Sequence, residues 1–181
     1  MQSKPMVGEP AAEEDMERCK TAIAAAKALS PSNESVLMLE ADILNNEGQS
    51  DEGMAIIEAL QRRPEAIPGD CTYLCLRASM LVNKAMTALQ TGEGMQMAQQ
   101  IFQDASSLYL QAMALEPGAI EVLNQYAQFS SMIGDINNSV RLLKTALSMA
   151  RTRDDVQDLQ QLLLVNEAQL KAIETLKAGR A

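Results

Sequence analysis

The chain has 181 residues, a net charge of −9, three cysteines, and neither histidine nor tryptophan. An acidic surface argues against nucleic acid, which needs a basic footprint, and against simple adsorption on anionic lipid. Without histidine the commonest general base and the commonest metal ligand are missing. Ala, Leu, Met and Gln are abundant and aromatics scarce, which favours helix over sheet. The twelve methionines either fill gaps between helices or form an adaptable binding surface, and the first reading is favoured. No apolar run is long enough to span a membrane.

The first residues, MQSKPMVGEPAAEED, are acidic and contain two prolines. They have neither the apolar core of a signal peptide nor the basic character of a transit peptide, so residues 1–11 read as a flexible lead-in. A helix is expected over 12–29, with Cys19, Ile23 and Ala26 on one face and Ser30-Pro31 ending it. A hairpin follows, 34–46 and 51–61, with Asn33 or Ser32 capping its first helix and Ser50 or Asp51 its second. The linker 63–70, RPEAIPGD, is rich in turn residues. A long hairpin is expected over 71–90 and 95–115, turning at Thr91-Gly92-Glu93-Gly94. The next hairpin spans 119–150. A last helix over 155–177, capped by Thr152 or Asp154, seals the apolar core. A coiled-coil dimer is the alternative use of its leucines, but clean heptads are not sustained. Residues 178–181 form a tail.

The 119–150 hairpin carries the clearest pattern. Leu123, Ala127, Gly134, Ser139, Leu143 and Ala146 fill the large, small, turn-glycine, small, bulky and small slots of a 34-residue tetratricopeptide (TPR) unit. The pattern recurs earlier at a constant offset of 86 residues (127 − 41): Leu37, Ala41, Gly48, Gly53 and Ile57 match Leu123, Ala127, Gly134, Ser139 and Leu143. In the long hairpin Ala105, Tyr109 and Ala112 fill the small, bulky and small slots. Because a lone hairpin cannot bury its apolar face, such units stack. The expected fold is therefore all-α, TPR-like antiparallel hairpins stacked as one solenoid domain over 12–177.

Cys71 and Cys75 stand one helical turn apart, a spacing two zinc ligands share. With one further cysteine and no histidine they read as small core residues, in a chain with no disulfide framework. The carboxylate clusters Glu13-Glu14-Asp15 and Asp154-Asp155 sit where helix starts favour acidic residues. Without histidine a nucleophile–base pair can be assembled only through Lys or Asp, and no phosphate-binding loop of the Gly-Lys-Thr kind is present. An enzyme is not expected, nor any cofactor or metal.

The order of the pieces resembles one TPR family in particular. The segments SVLMLEADILNNEGQSDEGMAI, Leu81-Val82-Asn83-Lys84-Ala85, ALEPGAIEVLNQYAQFSSMIGDINNSVRLLKTALSMART and VQDLQQLLLVNEAQLKAI run in the order found in the C-terminal third of the 70-kDa TPR receptor of the mitochondrial outer-membrane protein translocase. The resemblance covers residues 19–176. It implies a right-handed superhelix whose groove receives mitochondrial precursor proteins, on the cytosolic face of the outer membrane. Other translocase subunits are left open as partners. That family also has an N-terminal membrane anchor and a basic clamp for acidic chaperone tails. This sequence has neither, so chaperone docking and membrane attachment are not carried over.

TPR grooves are lined by the first helix of each hairpin, at positions that packing leaves free. Projection from the slots offers Met38, Asp42, Asn45 and Asn46 in the first hairpin and Asn124, Gln128 and Ser131 in the last. The long helix adds Arg77 and Lys84, although Asn83 competes with Lys84 for the inward position. The leading expectation is a protein-binding module recognising mitochondrial preprotein segments. The alternative is a scaffold subunit packed permanently in a larger complex.

Overall fold

A computed structural model describes residues 9–63, 70–91 and 94–178. The described residues form eight helices and no strand: α1 (Glu9–Leu29), α2 (Glu34–Asn46), α3 (Ser50–Gln61), α4 (Cys71–Thr91), α5 (Met95–Leu115), α6 (Ile120–Met132), α7 (Ile136–Met149) and α8 (Arg153–Ala178). The all-α class and the hairpin order are those the sequence predicts. α1 starts at Glu9, inside the stretch expected as a flexible lead-in. The rest of that lead-in, residues 1–8, and the last three residues of the tail, 179–181, lie outside the described residues. Where the sequence reading has one domain over 12–177, contacts divide the chain into two compact units, 1–68 and 69–181. The boundary falls in the turn-rich linker, of which 64–69 lie outside the described residues.

In the first unit α2 and α3 form a hairpin and α1 packs on α2. Ala41 and Gly53, the small slots, are buried, as are Ile57 and Leu60. Small residues at these points let two helices approach closely. Two ion pairs join α1 to the α2 segment: Lys27 Nζ meets both carboxylate oxygens of Glu40 at 2.6 Å, and Lys20 pairs with Glu47. Pairs this open to solvent contribute about 0–1 kcal/mol each, so they fix register more than they stabilise.

In the second unit α4 and α5 form the long hairpin, α6 and α7 the next, and α8 packs on α7. α6 also touches α5 and α4, which joins the hairpins. One core runs through them: Leu74, Ala78, Ala105, Tyr109, Ala112, Leu123, Ala127, Leu143, Ala146 and Leu159 all belong to it. Four aromatic rings meet where α5 crosses α6. Tyr109 stacks on Tyr126 with centroids 5.5 Å apart, and Phe129 lies 5.6 Å from Tyr109 and 6.1 Å from Phe102. Leu159 of α8 closes this core, as expected of a sealing helix, and Lys144 of α7 bonds Glu167 at 2.8 Å.

The 86-residue repetition is reproduced in the backbone hydrogen bonds of the turn. The N–H of Gly48 bonds the carbonyl of Asn45 and that of Gln49 reaches Leu44, at 3.1 and 2.8 Å; Gly134 to Ser131 and Asp135 to Ser130 repeat both distances. Each pair is the six-to-one and five-to-two closure of a helix end whose last residue is left-handed. Gly48 and Gly134 have φ of 81° and 86°. The bonds Leu37 to Asn33 and Leu123 to Ala119 open the two units alike. Nothing lies within 4 Å of a Cβ built on either glycine, so only the backbone conformation demands glycine there. Gly134→Ala is expected to lose about 1–2 kcal/mol, the cost of a left-handed L-residue, read as a lower urea midpoint with an unchanged slope.

Caps follow sequence in part. Asn33 accepts from the Val36 N–H at 3.1 Å, Asp135 from Asn138 at 3.1 Å and Thr152 from Asp155 at 3.1 Å. The start of α3 departs from expectation: its N-cap is Gln49, which makes no side-chain capping bond, and Ser50 turns inward.

Candidate functional site

Packing leaves one face of α2 and one of α6 open, at matching positions of the duplicated unit. On α6 Asn124, Gln128 and Ser131 recur at four- and three-residue spacing, which keeps them on one stripe. Gln128 Nε2 donates to Asn124 Oδ1 at 3.1 Å, and Gln128 is exposed while Asn124 and Ser131 are half-buried. Met38 and Asp42 hold the corresponding places on α2, Met38 half-buried and Asp42 exposed. Desolvation raises the Asp42 carboxyl above its ordinary range, so its charge is easier to neutralise than that of a free carboxylate. Asn46, the last residue of α2, is exposed.

Asn45 departs from the predicted stripe. It is only 3% exposed and accepts from Ser50 Oγ at 2.8 Å, across the α2–α3 turn. The left-handed glycine folds α3 back over this position, so a residue at groove spacing becomes a staple of the turn. The second hairpin has its own staple, Asn138 Nδ2 to Ser130 Oγ at 2.9 Å. Neither staple was singled out from sequence. Their signal was a pair of amide and hydroxyl residues flanking each turn glycine.

On α4 Arg77 is half-buried and Lys84 exposed, seven residues apart on one side of the helix. Asn83 is half-buried and so more inward than Lys84. α4 touches α6, so the second unit holds both the Arg77–Lys84 and the Asn124–Gln128–Ser131 stripes. The first stripe carries two cations and the second two amides and a hydroxyl, groups suited to hydrogen-bonding a polypeptide. An open recess of 730 Å³ also lies in this unit, where Met149, Arg151 and Asp155 meet Gly118 at the α7–α8 junction. It brings one cation and one carboxylate together beside Ser148, whose hydroxyl donates to the Thr145 carbonyl oxygen at 2.7 Å.

Cys71 and Cys75 lie in the core, 8% and 6% exposed, with Cys71 Sγ 3.8 Å from the Ala112 carbonyl oxygen. Burial raises both thiols, Cys75 to about 12. Cys19, which shares one face of α1 with Ile23 and Ala26, is exposed. Native protein at low concentration is expected to label quickly with a maleimide at one thiol of three, and at all three in denaturant. Mass spectrometry of the labelled peptides checks the assignment to Cys19, and fast labelling of Cys71 or Cys75 would contradict the packing. Among the described residues no group of three or more His, Cys, Asp or Glu is placed to hold a metal ion, and no helix is long and apolar enough to cross a membrane.

No protein-family profile matches the chain, and no curated protein matches it. Among solved structures it is similar to the crystal structure of MamA, at 10% identity and a TM-score of 0.46, over 94% of this chain and 99% of that one. The hairpin architecture therefore rests on this chain's own helices, turns and duplicated hydrogen bonds.

Proposed function

We propose that the chain is a non-enzymatic protein-binding module in which each open first-helix face, by itself, is suited to grip a polypeptide segment. The observation that supports this reading is the duplicated stripe. Two copies of one unit leave the same helix face unpacked, and both fill it with groups suited to peptide recognition: Met38 and Asp42 on α2, Asn124 and Gln128 on α6. Amides satisfy backbone or side-chain groups of an incoming segment, and a thioether adapts to its apolar side chains. The finer reading follows the family resemblance: the segments are those of mitochondrial preproteins, met on the cytosolic face of the outer membrane.

Fluorescence anisotropy tests both levels. The chain is titrated with an apolar helical segment of a mitochondrial carrier and with an acidic peptide ending Glu-Glu-Val-Asp. Saturable binding of the first alone is expected. Asn124→Ala with Gln128→Ala should then weaken it roughly fivefold for each lost hydrogen bond of about 1 kcal/mol. Equal affinity for both peptides would remove the preprotein reading. Absence of binding at high micromolar concentration would remove peptide recognition as well. The scaffold reading then stands in its place, favoured by the exposed apolar residues Leu164, Val165 and Leu176 on α8; it requires a partner that copurifies at fixed stoichiometry.

A further inference from the structure

The α4–α5 hairpin outruns the helix that packs on it. α4 and α5 have 21 residues each, and α6 has 13. The difference is about 12 Å of helix at 1.5 Å per residue. α6 runs antiparallel to α5: Tyr109 stacks on Tyr126, and Phe102, earlier on α5, meets Phe129, later on α6. The end of α6 therefore points towards the turn of the hairpin and stops short of it. Val82 of α4 and Phe102 of α5 are half-buried against the core that α6 completes. Past them the same two helix faces continue uncovered. Met86 and Leu89 stand four and seven residues after Val82, and Met95 stands seven before Phe102, so helical spacing keeps them on those faces. All three are exposed, Met95 at 80%. At the foot of this wall Met132 and Ile133, where α6 ends, are exposed as well. Ala85, Ala88 and Ala98 are buried, so small residues close the hairpin's interior and leave its large apolar side chains outside.

Charge is missing from the same stretch. Between Lys84 and Asp104 the sequence has one charged residue, Glu93, in a chain that is 22% charged. An anionic lipid surface therefore finds no cation there. A second copy finds too little area: an overlap of two or so helical turns falls well below the roughly 800 Å² per partner of a stable interface. A helix fits, because lower down the same side of α4 and α5 already seats one, α6. We propose that the ledge seats a second, an amphipathic helix of about two to three turns in a bound polypeptide, lying end to end with α6 and turning an uncharged apolar face to Met86, Leu89 and Met95. The inference rests on the peptide-binding reading above and names what the second unit binds. Ser131 of the polar stripe adjoins Met132, so the amides of α6 and the ledge serve one segment. Thioethers adapt to apolar side chains of different shape, so helicity and an apolar face select the ligand more than its exact sequence does.

Methyl NMR of the whole chain with isotope-labelled methionines tests this, each signal being assigned by its own Met→Leu variant. The probe is a synthetic amphipathic helix with leucine on one face and glutamine on the other. Its control carries a glutamate in the middle of the leucine face. The signals of Met86, Met95 and Met132 are expected to move and saturate with the probe. Met80, which is buried, and Met97, two residues from Met95 and so on the opposite side of α5, are expected to stay. The control should bind about tenfold more weakly or worse, and Leu89→Gln with Met95→Gln should weaken the leucine probe about tenfold. Both positions are exposed, and circular dichroism verifies that the variant keeps its helices. Saturable binding that moves only other methionines, such as Met38, or that the variant leaves unchanged, would overturn the ledge and leave the peptide-binding reading standing. Absence of binding at high micromolar concentration would overturn both. Movement of the three signals with rising protein concentration alone would give the ledge to a second copy, and movement only with phosphatidylcholine vesicles would give it to lipid; either result overturns the proposal.

Discussion

Phe129→Ala is expected to destabilise the second unit by about 3–5 kcal/mol, the range for deleting a buried phenyl ring. Phe129 is 4% exposed and touches all three other rings of the cluster: Phe102, Tyr109 and Tyr126. Its removal costs the transfer of the ring and leaves a cavity that flanking residues are poorly placed to fill. Ala105, Ala112 and Ala127 are already fully buried with no side chain to extend. Tilted and offset ring pairs add about 0.5–1.5 kcal/mol beyond area. With total stabilities of roughly 5–15 kcal/mol, such a loss removes a large share of the fold's margin. Urea unfolding followed by far-UV circular dichroism measures it. Phe129→Leu, which keeps most of the volume, should cost distinctly less than Phe129→Ala. Equal and small losses for both would mean that the rings do not hold α5 to α6.

The aromatic junction is also where sequence reading stops. Helix spacing places Tyr109 and Tyr126 on the apolar faces of their own helices, and the TPR slots name Tyr109 bulky. What no periodicity contains is the register of α5 against α6, which decides that these rings stack at 5.5 Å rather than pack apart. Local features were legible because local chemistry fixes them. Asn33 caps and Gly48 adopts a left-handed turn, so α2 has the expected bounds, Glu34–Asn46. Small residues at Ala41, Ala127 and Ala146 announce close helix crossings, and all three are fully buried. Asn45 was misplaced for the converse reason. Helical spacing assigns it to the Met38–Asp42 stripe, but the chain leaving the glycine turn covers it and gives it Ser50 as a partner. The exposure of Cys19 beside half-buried Ile23 and Ala26 was not legible, because spacing reports which residues share a face, not what covers each of them.

Raising the pH from 9 to 12 is expected to weaken the fold far more steeply than surface titration alone explains. Three ionisable groups share the core of the second unit: Cys71, Cys75 and Tyr109. Burial is the largest cause in each case, and it disfavours the anion, so all three titrate above their ordinary values. Cys75 moves furthest among the thiols, from 9.0 to about 12. The sign follows from proton binding. Below pH 9 the thiol is protonated in the folded and unfolded chains alike, and its packing contributes in full. Above pH 9 the unfolded chain releases the proton while the folded chain keeps it, so the unfolded state gains and stability falls until the folded group ionises too. Each group held neutral in this way lowers stability further with every pH unit until it ionises in the folded chain as well. Urea midpoints at pH 8, 9, 10 and 11 measure the slope. Cys75→Ala lowers stability at pH 8 through its small cavity but should flatten the alkaline slope. Tyr109→Phe, which keeps the ring against Tyr126, should flatten it above pH 10. If both variants keep the parent slope, the thiols and the phenol meet water in the folded chain, and the packing of α4 on α5 is looser than the buried Cys71 contact with Ala112 indicates.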